Sequence, residues 1–361
     1  EGRGLVIGIY EQRCDPWAVD GTSWDFGHEL LPDNLDRISE ALEYAYMRTP
    51  CLADAGLKRN INGPFTFAPD GNPLVGPVPG LRNFWSACAV MAGFSQGGGV
   101  GLTLAEWMVE GEPSRDVFAM DVARYGNWTT RAYTRNKVVE NYQRRFAVSY
   151  PNEELPAARP LETSPAYGVW KGQNAVFGQG YGMEHVNYFA PHGEEPYETP
   201  SFRRSNAHDT VGEECRAVRN AVGINETHNF GKYLVSGSGA EDWLDRVMAG
   251  RIPKQGRMTL SAMLSPKGRI IGDFTILRQN AETFRLAASF GTQAFHMRWF
   301  EQHLPEDGSV TVENISLKSI GFQIAGPNAR ELLSRVTRID VSNEALPFMS
   351  AIETEVGQCD A

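Results

Sequence analysis

Apolar residues recur along this 361-residue chain in short runs and in helical stripes, and the pattern changes character twice. In residues 1–107, the apolar run at residues 5–10 predicts a strand. Apolar residues at helical spacing after Pro32 then predict a helix. Thr49 and Pro50 end it, because the residue before a proline disfavours the helical conformation. The first region therefore has the pattern of a mixed α/β domain.

The glycine-rich segment at residues 93–101 is the most informative part of the chain. An apolar run precedes it at 84–91 and an apolar helical stripe follows at 102–109, which predicts a strand, a glycine loop and a helix. Such a loop presents backbone N–H groups and a helix dipole to a negatively charged ligand. It does not match a dinucleotide fingerprint, because Leu102 stands where the last glycine would be. Alternatively, the glycines only allow tight packing of the helix on the strand.

Residues 108–165 are richer in proline, arginine and tyrosine, and a helical stripe runs only from 135 to 146. This region is predicted to be a connector that wraps over other structure. Residues 166–361 show an α+β pattern. Strands are predicted at 232–236, 274–278, 284–288, 310–315 and 321–325, and helices at 240–248, 292–303 and 328–336.

Composition is typical of a globular protein, with 42% apolar and 22% charged residues. No apolar run is long enough to predict a membrane span, and a net charge of −10 argues against nucleic acid or an anionic membrane as the main partner. The five cysteines and seven histidines show no metal-ligand spacing. We therefore expect free thiols, no metal site and a cytoplasmic location, or the mitochondrial matrix in a eukaryote. The abrupt first strand suggests that the chain begins inside a longer protein.

Asp273 is the candidate for acid–base chemistry. It lies inside a predicted strand beside Ile271 and Phe274. A partly buried carboxylate there could orient an amine or accept a proton from it. On the residues alone, a solvent-facing carboxylate on an edge strand is the better expectation.

Two further features admit two interpretations each. The pair Arg203 and Arg204 and the basic residues 254–257 could attract an anionic tail, or they could be solvated surface. The aromatic segment 23–29, which contains His28, could be a substrate-facing loop, but a surface loop with aromatic anchors is the simpler interpretation.

Taken in order, the motifs resemble the dimethylglycine/sarcosine dehydrogenase family, in which an FAD-dependent amine oxidoreductase is fused to an aminomethyltransferase-like, folate-binding domain. The resemblance covers essentially the whole chain and implies an internal fragment of a longer multidomain protein, with mixed α/β and α+β folds. The matching segments are residues 4–11, 62–77, 83–85, 97–107, 121–126, 159–160, 200–204, 230–233, 252–254, 263–269 and 325–330.

The resemblance implies three domains: the C-terminal part of a DAO-type FAD oxidoreductase domain (1–107), its central domain (108–165), and the N-terminal part of a glycine cleavage T-protein-like aminomethyltransferase domain (166–361). It also implies two binding sites but assigns no catalytic residue. Leu260 departs from the tyrosine of several aminomethyltransferase relatives. The implied contacts are Gly93, Phe94, Ser95, Gln96, Gly97 and Gly98 for FAD, and Asp273, Phe274 and Thr275 for tetrahydrofolate.

The implied reaction is FAD-dependent oxidative demethylation of dimethylglycine or sarcosine, with the one-carbon unit passed to tetrahydrofolate. The negative charge of reduced flavin would then lie against the glycine segment. An electron-transfer flavoprotein or oxygen would accept the electrons. Two alternatives stay open: oxidation of another N-methyl amine such as 4-methylaminobutanoate, or an inactive scaffold or folate-binding module.

Overall fold

A computed structural model describes residues 4–361. Contacts between residues divide the chain into two compact units. The first comprises the residues up to Val122 with Thr129–Ser149 and Leu155–Ala158, and the second comprises Ala123–Trp128, Tyr150–Glu154 and Arg159–Ala361. Residues 108–165 thus contribute to both units, and the domain borders at 107 and 165 stay predictions.

The first unit combines helices with a two-stranded sheet. The helix predicted after Pro32 is confirmed and ends before Thr49, and the helix predicted at 135–146 is present but lies a few residues earlier. Of the apolar run at 84–91, only a four-residue strand forms. The elements are α1 (Ser39–Arg48), β1 (Leu74–Pro77), β2 (Trp85–Cys88), α2 (Gly93–Glu110) and α3 (Arg131–Gln143), with 3₁₀ turns at Asp36–Ile38, Pro50–Leu52 and Phe118–Met120.

The strand predicted at residues 5–10 is wrong. The segment has no regular secondary structure, and Leu5 and Val6 are exposed. A strand requires a hydrogen-bonded neighbour, and no strand among residues 4–361 pairs with this segment. The Tyr10 ring is instead held by the aromatic rings of Tyr142 and Phe146, whose centroids lie 5.3 and 4.9 Å away.

Helix α2 packs closely on β1 at one glycine. Gly76 has a φ of +113°, and a Cβ atom there would lie 2.8 Å from the ring of Trp107 on α2. Both the backbone conformation and the missing space require glycine. The close approach of helix and strand therefore takes place at Gly76 and not at the glycine-rich segment.

The second unit confirms the α+β prediction, since all five predicted strands and all three predicted helices are present with boundaries shifted by a few residues. The elements that were not predicted include the strands Ala175–Gly180, Met183–Phe189, Gly223–Glu226 and Met258–Leu264, and the helices Tyr167–Gly172 and Ala207–Asn220. The elements are α4 (Tyr167–Gly172), β3 (Ala175–Gly180), β4 (Met183–Phe189), α5 (Ala207–Asn220), β5 (Gly223–Glu226), β6 (Phe230–Ser236), α6 (Ala240–Val247), β7 (Met258–Leu264), β8 (Ile270–Arg278), β9 (Thr283–Ser289), α7 (Gln293–His303), β10 (Thr311–Asn314), β11 (Phe322–Ala325), α8 (Ala329–Ser334), β12 (Glu355–Val356) and β13 (Cys359–Asp360).

An antiparallel five-stranded sheet, in the order β10-β6-β9-β8-β7, organises this unit. Side chains alternate between its two faces, so Tyr233, Phe274 and Leu286 point into the core. Trp243 of α6 and Phe300 of α7 pack on them. Burying a large apolar side chain contributes about 1.5–3 kcal/mol. This one-sided core leaves the opposite face of the sheet for other uses.

Candidate functional site

The glycine segment predicted as a loop is the start of a helix, so the loop prediction is wrong. The backbone amides of Ser95 and Gln96 donate to the Ala92 carbonyl at 3.0 and 2.8 Å, and α2 begins at Gly93. Glycine costs about 1 kcal/mol relative to alanine in a helix. That cost is small enough for the well-formed remainder of the 18-residue helix to extend through the glycines.

The glycine face of α2 is open. A Cβ atom added at Gly93, Gly97 or Gly98 would meet no other atom within 4 Å, and Phe94 is fully exposed. The structure therefore gives these glycines no packing role within residues 4–361, which was the alternative interpretation. Ala92 offers no side-chain cap, so the amides of Gly93 and Phe94, which precede the bonded amides of Ser95 and Gln96, remain available to a ligand.

This geometry fits the edge of a flat, negatively charged ring. A face without side chains allows a ring to approach the backbone, and the positive end of the helix dipole stabilises negative charge. The buried Oε1 atom of Gln96 has no hydrogen-bond partner among the described residues. Such an acceptor needs a donor, and a ligand can supply one. The assignment of residues 93–98 to FAD stays a prediction.

A second candidate site lies on the open face of the five-stranded sheet. The antiparallel register places Leu260 of β7 opposite Thr275 of β8. Two residues along, Ala262 lies opposite Asp273. Side chains of directly opposed residues share a face, and here they line a cavity of about 300 Å³. The other lining residues are Phe230, Ser261, Phe274, Ala287, Ala288 and Ser289.

The three predicted folate residues do not share one face. Asp273 and Thr275 lie on the open face, whereas the side chain of Phe274 is buried in the core because neighbours on a strand alternate. Asp273 is exposed, which confirms the expected solvent-facing carboxylate and contradicts partial burial. The expected edge strand is wrong, because β8 is an inner strand.

The open face pairs polar groups with apolar side chains. Leu260 and Phe230 are 72% and 45% exposed on either side of the Asp273 carboxylate and the Thr275 hydroxyl. A few polar groups set among apolar ones fit a flat, polar heterocycle such as a pterin. The assignment of Asp273, Phe274 and Thr275 to tetrahydrofolate stays a prediction.

Sequence reasoning missed His296, which lies beneath the same strand. Its Nδ1 atom lies 3.1 Å from the Tyr233 hydroxyl and 3.2 Å from Thr292 Oγ1. A Cβ atom at Gly272 would collide with its ring, so Gly272 lets β8 cross the histidine closely. Burial lowers the pKa of His296 to about 4 and keeps the ring neutral near pH 7. The only signal in the sequence is a histidine within an apolar helical stripe.

The remaining candidates from the sequence are the aromatic segment 23–29, the cysteines and possible metal ligands. Trp24 and His28 are exposed and Trp17 stacks on Phe26 at 4.8 Å, which fits the surface-loop interpretation of residues 23–29. All five cysteines are free thiols. Over residues 4–361, no group of three or more His, Cys, Asp or Glu side chains could hold a metal ion. Within the same range, no helix is both long and apolar enough to cross a membrane.

Comparison with known proteins identifies two domain families in the chain. The family model described as "GCVT N-terminal domain" matches residues 166–361. The model described as "FAD dependent oxidoreductase central domain" matches residues 110–164. The mixed α/β and α+β multidomain fold inferred from the sequence is therefore confirmed.

Three curated proteins align over nearly the whole chain. Mitochondrial dimethylglycine dehydrogenase of Mus musculus is 36% identical over 97% of this chain and 41% of its own length. Mitochondrial sarcosine dehydrogenase of Homo sapiens is 29% identical over 96% of this chain and 42% of its own length. The 4-methylaminobutanoate oxidase (formaldehyde-forming) of Paenarthrobacter nicotinovorans is 30% identical over 99% of this chain and 43% of its own length. The chain thus spans about two fifths of the length of these relatives.

Proposed function

We propose that the protein that carries this chain oxidatively demethylates an N-methylated glycine and transfers the one-carbon unit to tetrahydrofolate. The chain belongs to the GCVT N-terminal domain family and aligns with dimethylglycine and sarcosine dehydrogenases over nearly its whole length. The observation that carries the proposal is the 36% identity to dimethylglycine dehydrogenase over 97% of the chain, an extent that includes both units. The enzyme would be an FAD-dependent dehydrogenase or oxidase of N-methyl amines.

At the flavin end, the start of α2 would hold the isoalloxazine ring. When bound, FAD would supply two-electron oxidation of the substrate carbon–nitrogen bond. The first amides and the dipole of α2 would stabilise negative charge at the ring edge. Gly97 and Gly98 would leave room for the ring, since nothing lies within 4 Å of where their side chains would start. The side-chain Oε1 atom of Gln96 would accept a hydrogen bond from the ligand.

At the folate end, the open sheet face would hold the pterin. When bound, tetrahydrofolate would supply amine nitrogens that take up the one-carbon unit. The Asp273 carboxylate would orient such an amine or accept its proton, and the Thr275 hydroxyl would add a hydrogen bond. Leu260 and Phe230 would exclude water from the ring. Neutral His296 would hold β8 in place from beneath.

The expected partners follow from the same proposal. The substrate would be a small N-methyl amine, and an electron-transfer flavoprotein or oxygen would accept the electrons. The names of the dimethylglycine and sarcosine dehydrogenases place those relatives in mitochondria, which favours the matrix if this protein comes from a eukaryote.

The substrate is tested by steady-state oxidation of dimethylglycine, sarcosine and 4-methylaminobutanoate by the protein that carries this chain. We expect the flavin absorbance to bleach and kcat/KM to be at least about tenfold higher for an N-methylglycine than for 4-methylaminobutanoate. The reverse order would move the protein to the 4-methylaminobutanoate class, which the 30% identical oxidase favours. A protein that neither binds flavin nor oxidises any of the three would be a scaffold.

The folate face is tested by calorimetry with reduced folate. Asp273→Asn is expected to weaken binding about tenfold or more, because the loss of a charged hydrogen-bond acceptor costs about 1.5–3 kcal/mol. Asp245→Asn, an exposed carboxylate on α6 away from the cavity, is the matched control and should leave binding unchanged. Equal binding by wild type and Asp273→Asn would remove that residue from the site.

A further inference from the structure

A cavity of the second unit lies apart from both candidate cofactor surfaces. It has a volume of about 620 Å³ and is bounded by the strand β4, the turn at residues 151–154 and the segment that leads into α5. None of its lining residues belongs to the glycine helix or to the five-stranded sheet. They are Pro151, Asn152, Glu154, His185, Asn187, Tyr188, Glu198, Ser201, Arg203, Arg204, Ser205, Ala207, His208 and Val211.

The charge that remains available in this cavity is positive. Arg203 and Arg204 line it, both are exposed, and neither guanidinium pairs with a carboxylate among the described residues. Glu154 accepts from Arg159 at 3.0 Å and from the Gln179 amide at 3.1 Å, and Arg159 also pairs with Glu184 at 2.6 Å. A pair of unpaired arginines is notable in a chain with a net charge of −10.

One acidic group remains and is held at the edge of the segment. Glu198 accepts a hydrogen bond from the Ser205 hydroxyl at 2.6 Å. Arg203 and Arg204 have no carboxylate partner among the described residues, so their guanidinium groups remain available to an anion, although Glu194, Glu198 and Glu214 lie near Tyr188.

The segment that carries the arginines is held in place by its own hydrogen bonds. The Asn206 side chain accepts from the Thr199 amide at 2.8 Å and donates to the Tyr197 carbonyl at 2.9 Å. Next to the arginines, Phe202 packs on Tyr150 with ring centroids 4.5 Å apart. A preformed segment loses less conformational entropy when a ligand binds.

Polar groups of the cavity wall point to a ligand as well. The Nδ1 atom of His185 is buried without a hydrogen-bond partner among residues 4–361. His208 lies in the first turn of the 14-residue helix α5, whose positive end faces the same cavity through Ala207. Tyr188 and Val211 provide apolar contact area. The volume lies in the range of small-molecule sites.

We propose that this cavity binds a small organic anion through Arg203 and Arg204, at a third site separate from those for flavin and folate. The planar, forked guanidinium groups match a phosphate or carboxylate in two-point contact. The apolar wall adds contacts for the body of the molecule. The shared chemistry is an oxyanion, and a phosphate and a dicarboxylate are its two possible sources.

Isothermal titration calorimetry on the 361-residue chain tests the site with two probes, inorganic phosphate and succinate. We expect at least one probe to bind with one-to-one stoichiometry and to weaken about tenfold or more in the double variant Arg203→Gln/Arg204→Gln. Preference for phosphate or for succinate identifies the source of the anion. Arg216→Gln/Arg219→Gln removes the same two charges from exposed positions on α5 outside the cavity and should bind like the wild type.

Two results would overturn the site. One is the absence of binding by either probe up to about 10 mM. The other is an equal loss in Arg203→Gln/Arg204→Gln and in Arg216→Gln/Arg219→Gln, which would show only general attraction of anions to a positive surface. Unchanged circular dichroism spectra are expected for all variants because the substituted arginines are exposed, so a loss of binding reports on the cavity itself.

Discussion

Apolar side chains are buried to very different extents in the five-stranded sheet and in residues 4–67 of the first unit. Fifteen buried residues form one core around the sheet. Between residues 4 and 67, by contrast, no described residue is buried, although the segment contains an apolar run and a helix with a regular stripe. The sheet finds all the partners of its core face within the chain, whereas residues 4–67 rely on local contacts.

Those local contacts are mainly polar and aromatic. Arg37 donates to Glu11 at 2.7 Å and to Asp15 at 3.1 Å, and Tyr142 donates to the other Glu11 oxygen at 2.6 Å. Exposed ion pairs contribute only about 0–1 kcal/mol each. The difference teaches that the apolar run at 5–10 forms no strand without a partner strand, whereas α1 forms without a buried face because its hydrogen bonds are internal.

The strongest test of this comparison truncates one aromatic ring in each region. Phe300→Ala removes a fully buried ring that contacts Tyr233 and Trp243, and should lower the free energy of unfolding by about 3–5 kcal/mol. Phe65→Ala removes a ring that is half exposed and should cost less than about 1 kcal/mol. Urea unfolding followed by circular dichroism measures both. Similar losses would contradict the comparison.

The second test uses pH. The pKa of His296 is lowered from 6.5 to about 4 by burial. As the pH falls below 6.5, the unfolded chain takes up a proton that the folded sheet does not accept until about pH 4. The free energy of unfolding should therefore fall across this window, by about 3 kcal/mol in total. Burial also lowers the pKa of His228, which acts in the same direction.

Urea midpoints between pH 7 and pH 4.5 measure this loss in the second unit. His296→Gln should flatten the dependence, even though the variant is less stable at pH 7. An unchanged pH slope in His296→Gln would show that another group is responsible.

The third and smallest effect separates two kinds of glycine in the first unit. Gly76→Ala meets the Trp107 ring at a positive φ and should destabilise by about 1–3 kcal/mol. Gly97→Ala meets nothing and should stabilise α2 by about 0.5–1 kcal/mol, because alanine favours the helix. Thermal unfolding of the two variants measures the opposite signs. Destabilisation by Gly97→Ala would mean that the glycine face is covered.

Gly97→Ala also sharpens the flavin assignment. In the protein that carries this chain, the added methyl group should lower the flavin content while stability rises. Gly101→Ala, equally open but outside the predicted contact segment, should raise stability without loss of flavin. Equal flavin content in both variants would contradict the assignment of residues 93–98.

Much of the second unit could be predicted from sequence because its strands alternate strictly and its helices carry clear stripes. The hairpin β3–β4 was not predicted because its turn is Tyr181-Gly182, with φ values of +50° and +87°. Tyrosine is an unusual residue for that conformation. Helix α5 was not predicted because its apolar stripe of Val211, Cys215 and Val218 is narrow and only Ala207 is buried.

The candidate sites were predictable in part. The glycine segment could be singled out by composition, but its helical conformation could not, because glycine disfavours helices. Asp273 could be named, but its place on an inner strand depends on β7, which the sequence did not reveal. The position of His296 beneath β8 could not be predicted, because the burial of a single histidine depends on tertiary contacts and not on the local sequence pattern.

The proposal that the protein that carries this chain joins amine oxidation to folate capture at the open sheet face is tested most directly by the fate of the released carbon. Asp273→Asn is compared with the wild type in the protein that carries this chain, with dimethylglycine and reduced folate present. The account predicts an unchanged rate of amine oxidation, with less methylene-folate and correspondingly more free formaldehyde. An unaltered ratio of the two products would contradict it.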